Sequence, residues 1–159
     1  MVRDFEVHEG KTAPAYTAAA AACATGMGVV IDRAAKTFAF PESATADNIF
    51  VVHKARIPVG TDAAIVDFSD YHAAFNAVAA GEFAPLWSYE FGECFGTDQF
   101  NATNVKAANA GKYLAVGTDG KWDVAGSGVK SVYRLVKMYD DAGHTLAYIE
   151  VLQAAGENS

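Results

Sequence analysis

Residues Lys112 to Leu152 read KYLAVGTDGKWDVAGSGVKSVYRLVKMYDDAGHTLAYIEVL, and two hairpins stand out in them. Lys112–Val116 leads through Thr118-Asp119-Gly120-Lys121 into Trp122-Asp123-Val124. Asp-Gly between two such runs is a strong short-range hairpin signal, because both turn residues tolerate positive φ. Val132–Tyr139, the turn Asp140-Asp141-Ala142-Gly143 and Thr145–Leu152 form the second hairpin. Gly126-Ser127-Gly128 supplies a flexible turn between them. A chain whose last third is written as hairpins is a β protein.

The segments upstream extend that pattern. Trp87, Tyr89 and Phe91 alternate with Ser88 and Glu90, as on a strand with one buried face. Val29-Val30-Ile31, the polar turn Asp32–Lys36 and Thr37–Phe40 form another hairpin signal. Asn48–His53 reads as a strand buried on both faces. Ile57–Gly60 and Ala64–Phe68 are further strand candidates, with Pro58 limiting the first to an edge or a bulge. Tyr71–Ala80 is the best helix candidate, since Tyr71, Phe75 and Val78 share a face at spacings of four and three. Ser69 or Asp70 can cap its start and Gly81 its end. The stretch from Gly26 resembles that from Gly111, with Lys36 and Lys121 each ending a turn. Hairpins resemble one another at this level, and chance accounts for the likeness.

The fold class expected is therefore mainly β: a small antiparallel β-barrel or sandwich with an extended N-terminal arm and one candidate short helix. Residues 1–25 have few large hydrophobes, carry Gly10 and Pro14 as breakers, and include an alanine run too short to sustain an isolated helix. They read as an arm laid over a neighbouring surface. Residues 26–152 read as a single domain and 153–159 as a frayed tail. On this reading, deleting Met1–Cys23 leaves a folded domain with a weakened partner contact.

Charge narrows the partners. The formal net charge is -7, and no Lys/Arg cluster reverses it locally, which disfavours nucleic-acid binding. No stretch reaches the ~18 apolar residues of a membrane span. Asp4, Glu6 and Glu9 occupy the place where a secretory leader would be basic. The two cysteines, Cys23 and Cys94, lack metal-type spacing and read as free thiols.

No catalytic, cofactor or metal site can be assembled from the sequence, so the chain reads as a non-enzyme without a cofactor. His8, His53, His72 and His144 are scattered, without zinc-ligand spacing. Glu90, Glu93 and Asp98 could be proposed as paired carboxylates, but with Glu93 beyond Gly92 they need not share a pocket, and a solvated face is the better reading. Cys94 sits among acids and aromatics rather than the positive charge that activates a thiol. Asp140 and Asp141, with Asp32 or Asp119, could bind calcium at turn tips, yet no EF-hand spacing exists. The aromatics from Trp87 to Phe100 could stack on sugars, although alternation at strand spacing is what a β core produces.

The closing module GKYLAVGTDGKWDVAG…VYRLVKMYDDAGHTLAYIEVL, preceded by YEFGECFGTDQF, resembles the C-terminal half of small phage head decoration proteins, the capsid cement or fibre-like kind. The likeness covers Gly81–Leu152 and extends loosely to Gly26–Lys54; no counterpart exists for Thr61–Ala80. It implies a β-barrel or β-tulip-like domain without catalysis, placed in many copies on the capsid exterior and assembled in the host cytoplasm. The partners implied are the major capsid protein and copies of the chain itself, as in a homotrimer, with no nucleic acid and no membrane. Phe5, Val7, Tyr16 and Ala20 are the candidate contact positions on the arm. The alternatives are a tail or baseplate adaptor, or a carbohydrate- or small-ligand-binding β-domain using Trp87 and Trp122.

Overall fold

The computed structural model describes residues 1–7, 18–54 and 71–159, so the strand candidates at 57–60 and 64–68 and the proposed caps Ser69 and Asp70 lie outside the described residues. The chain is mainly β, and its curled sheets form a half-barrel. In chain order the strands are β1 (Val2–Glu6), β2 (Ala18–Ala19), β3 (Cys23–Ala24), β4 (Gly28–Asp32), β5 (Thr37–Ala39) and β6 (Phe50–Val52). A single helical turn α1 (Ala73–Asn76) precedes β7 (Ala77–Val78), β8 (Leu86–Trp87) and β9 (Cys94–Thr97). A 3₁₀ turn at Ala107–Asn109 precedes β10 (Leu114–Val116), β11 (Trp122–Val124), β12 (Ser131–Asp141) and β13 (His144–Gly156). Among the described residues, one sheet runs β1-β9-β13-β12 and another β2-β5-β4-β6-β8, with β10-β11 and β3-β7 as smaller pairs. The β2–β5 pairing is parallel, so the architecture is not antiparallel throughout.

The hairpins expected from sequence are present, but their turns exchange character. Val116 pairs with Trp122, leaving the longer loop Gly117–Lys121, in which Gly120 has positive φ (77°) and Asp119 does not. Asp119 instead accepts the Lys121 N–H on its carboxylate. The two-residue turn with both residues at positive φ is Ala142-Gly143 (54° and 89°), between Asp141 and His144. That is the type I′ geometry that matches strand twist. The earlier hairpin β4–β5 is also observed, with Asp32 opposite Thr37. It shares with β10–β11 a third strand set antiparallel on its first: β6 on β4, and β12 bridged to β10 through Tyr113 and Arg134.

Strand β6 is buried on both faces, as expected, and it divides the interior. Val51 packs into a cluster centred on Phe95, Trp122, Tyr133 and Leu135, whereas its neighbour Val52 packs with Val29, Phe38 and Leu86. Successive strand residues point to opposite faces, so one strand serves two cores. Trp122 is 0% exposed and its indole N–H donates to the Gly26 carbonyl at 3.1 Å. The Thr97 hydroxyl donates to the same carbonyl at 3.0 Å. This joins β9 and β11 to the start of β4.

Four expectations need correction. The arm is part of the fold: Met1 and Val2 are buried, β1 pairs antiparallel with β9, β2 edges the five-stranded sheet beside β5, and β3 pairs with β7. Deleting Met1–Cys23 would therefore remove core and sheet together. The tail is also structured, because β13 continues to Gly156 and the Asn158 amide donates to the carbonyls of Tyr113 and Ala125. The helix shrinks to one turn, capped by His72 rather than continued to Ala80; Ala77 turns extended so that β7 can pair with β3. Finally, Phe91 is not on a buried strand face. Strand β8 ends at Trp87, Tyr89 is buried, and Phe91 is 59% exposed in a turn completed by Gly92 at φ 86°.

Candidate interaction surface

The residues expected to contact a partner are divided by the structure. Phe5 is committed to its own sheet: its ring stacks on Tyr148 with centroids 4.5 Å apart and meets Tyr139 edge-on at 5.1 Å. Gly96 makes the space, since a Cβ there would lie 2.6 Å from the Phe5 ring. The Lys137 ammonium hovers 5.9 and 5.5 Å from the Tyr139 and Tyr148 rings, within cation–π range. Val7 is exposed, and Ala20 is exposed while its N–H donates to the Phe38 carbonyl at 2.8 Å. Tyr16 lies outside the described residues.

The outer face of this sheet is tied down by charge. Arg3 Nε donates to Asp141 at 2.7 Å, and the Tyr71 hydroxyl donates to the same oxygen at 2.6 Å. The Tyr71 ring stacks on His144 at 3.7 Å. Hydrogen bonds from Tyr71 and then Arg3 hold the Asp141 carboxyl below the usual carboxylate range. On the other face, Asp4 bonds His53 Nε2 at 3.0 Å and accepts the Tyr89 hydroxyl. Burial alone would raise the Asp4 carboxyl; the hydrogen bonds from His53 and Tyr89 outweigh it and hold it low. The His53 ring stacks on Trp87 at 4.0 Å, and the contacts continue through Tyr89, Phe95 and Trp122 to Tyr133. These rings are packing elements, with Phe95 and Trp122 fully buried.

The groups weighed for chemistry are occupied elsewhere. Glu93 is buried and accepts the Glu90 N–H, while Asp98 pairs with the Met1 ammonium. Asp32, Asp119 and Asp140 each accept backbone N–H groups of their own turns. His72 caps α1 through Nδ1, accepting the Ala74 N–H at 3.2 Å. Both cysteines are free. Burial, then the charge of Glu82, pushes the Cys23 thiol up to about 11, and burial also raises Cys94. A thiol held that high carries little thiolate at neutral pH. Among the described residues no cluster of three or more His, Cys, Asp or Glu could hold a metal ion, and no helix is long and apolar enough to cross a membrane. The sugar-binding alternative loses Trp122, which has no accessible face.

Among the described residues, a groove of about 900 Å³ lies at one end of the sheet that holds β4, β5 and β6. Ile31, Phe40 and Phe50, which pack on the Val29–Phe38–Leu86 cluster, form its apolar floor, all of them partly exposed; Val30 borders it with its side chain turned to the other core. Phe40 is held against Gly120, where a Cβ would approach its ring to 2.6 Å. Asp32, Glu42 and Asp47 form an acidic rim, with Arg33 the one basic residue in the lining. Sequence reading passed over this site because its floor looks like ordinary strand content; the signal available was the acidic spacing around Phe40 and Phe50. Comparison with protein-family models, curated proteins and solved structures finds no match.

Proposed function

We propose that this chain is a non-enzymatic structural protein of a virus particle, binding the capsid exterior as a decoration or stabilising protein. The observation that carries the reading is the construction of its closing module. The segment whose sequence resembles head decoration proteins makes a continuous β unit, in which β10–β11 and β12–β13 share the core around Trp122, Tyr133 and Leu135. Main-chain bonds from Gly111 N–H to the Leu135 carbonyl (2.7 Å) and from Leu135 N–H to the Lys112 carbonyl (2.9 Å) join the hairpins. The Ser131 hydroxyl donates across to the Leu114 carbonyl.

A cement protein needs a small rigid fold presented many times, so that modest contacts add through avidity. A half-barrel with Phe38, Phe95 and Trp122 locked inside suits that task. The partners on this reading are the major capsid protein and neighbouring copies of the chain, a homotrimer being the arrangement that suits a local threefold axis. An acidic exterior keeps decorated particles dispersed.

The test is to add the purified chain to shells that lack it and sediment the mixture. The reading expects saturable co-sedimentation and shells that withstand a higher temperature before opening. A chain left entirely in the supernatant at saturating shell concentration would remove the capsid reading. A tail or baseplate adaptor would instead bind isolated tails and not shells.

A further inference from the structure

We propose that the groove floored by Ile31, Phe40 and Phe50 is the docking site for an extended, basic segment of the shell protein, a proposal that rests on the decoration reading and assigns its contact surface. The groove combines the two features such a segment needs. Its partly exposed apolar floor offers area that an alternating chain can cover with every second side chain. Its rim offers charge that is still unneutralised.

The rim carboxylates, unlike the acids tied into ion pairs, keep their charge available to a partner. Asp4, Glu82, Asp98, Asp141 and Glu150 all have cationic or histidine partners within ion-pair distance. Asp32, Glu42 and Asp47 are exposed and, among the described residues, have no such partner. Asp32 uses one oxygen on the N–H groups of Ala34 and Ala35, at 2.9 and 3.0 Å, and that turn presents Arg33 beside it. Three carboxylates against one guanidinium leave the rim negative. Asn48, at φ 55°, fixes the bend that sets Asp47 next to the start of β6.

The same charge argues against a second copy as occupant. The chain is acidic overall at -7, and the most exposed aromatic side chains among the described residues, Phe83 and Phe91 at 60% and 59%, follow Glu82 and Glu90 in the chain. Inserting either into an acidic groove would bring like charges together, whereas arginine or lysine on a partner strand would meet the rim and leave apolar side chains for the floor. Attraction of this kind speeds encounter and weakens as salt rises.

The experiment uses the full chain, isotopically labelled, and a short peptide alternating leucine and arginine as the probe. Amide shifts are expected at Val30, Ile31, Phe40 and Asp47. The Glu42→Lys/Asp47→Lys variant alters only exposed side chains and should remain folded, as the unperturbed amide spectrum of β12–β13 will verify; it should bind about tenfold more weakly. A matching peptide of leucine and glutamate should give no shifts. Peptide shifts that miss the groove, or equal binding by the variant, would overturn the proposal, as would concentration-dependent shifts there without peptide, which would make a second copy the occupant. Co-sedimentation with shells separates the two readings. If wild type and variant bind shells equally, the docking site is wrong and the decoration reading stands. If peptide binds the groove but neither protein binds shells, the decoration reading fails and the shell protein is not the groove's partner.

Discussion

Gly96 is a glycine because Phe5 lies across it. The phenyl ring covers the place where a Cβ would project, while Tyr148 and Tyr139 hold the ring from the sides. Gly96→Ala should cost about 1–3 kcal/mol by forcing Phe5 off its stacked position. Because the closest clash is with Phe5, the Leu146 methyl lying farther off at 3.3 Å, Phe5→Ala should remove most of that cost. Urea unfolding of both single variants and the double variant tests this, with a coupling of about 0.5–3 kcal/mol expected; strict additivity would show that Gly96 is needed for another reason. Asp4 makes a second residue-scale prediction. Its folded carboxyl is held below the ordinary value near 4, so its stabilisation is fully present above that value and is lost as pH falls through the lowered folded one. Asp4→Asn should therefore be less stable than wild type at pH 7, with the gap closing in acid. A gap independent of pH would mean that the His53 and Tyr89 contacts do not depend on the charge.

At the scale of elements, local signals were legible and distant pairings were not. The hairpins at β4–β5, β10–β11 and β12–β13 declare themselves through β-prone runs joined by short polar turns. Strand β1 does not, because Val-Arg-Asp-Phe-Glu mixes charge into the alternation and its partner β9 comes far later in the chain, Val2 facing Thr97 and Glu6 facing Cys94. The helix expected at Tyr71–Ala80 failed for a related reason. Apolar spacing supports a helix there, yet Ala77-Val78 gains main-chain pairing with Cys23-Ala24 and burial of Val78, a tertiary override that no local pattern announces. The same logic restored the tail, since Asn158 finds its carbonyl partners on Tyr113 and Ala125. It follows that removing Met1–Glu6 should cost several kcal/mol, a large part of the roughly 5–15 that hold a domain. Thermal unfolding of the truncated chain should begin well below that of the full chain; an unchanged melt would return these residues to the status of an arm.

For the molecule as a whole, the mainly β class was readable from composition and turn spacing, and the two-sided burial of β6 from its unbroken apolar run. The groove was not, because its floor is made by the end of a sheet and its rim by carboxylates from separate turns, Asp32, Glu42 and Asp47, that only the fold brings together. Of the residues nominated on the arm, Phe5 serves its own sheet. A small rigid half-barrel with an acidic, apolar-floored groove is suited to repeated docking on a larger surface. The most direct measurement is the number of copies of this chain in purified virus particles from its source, set against the major shell protein by quantitative mass spectrometry. A decoration protein should be present at about one copy per shell protein, or about one for every three. A handful of copies per particle would place it in the tail or baseplate, and absence from particles would contradict a role in the virion altogether.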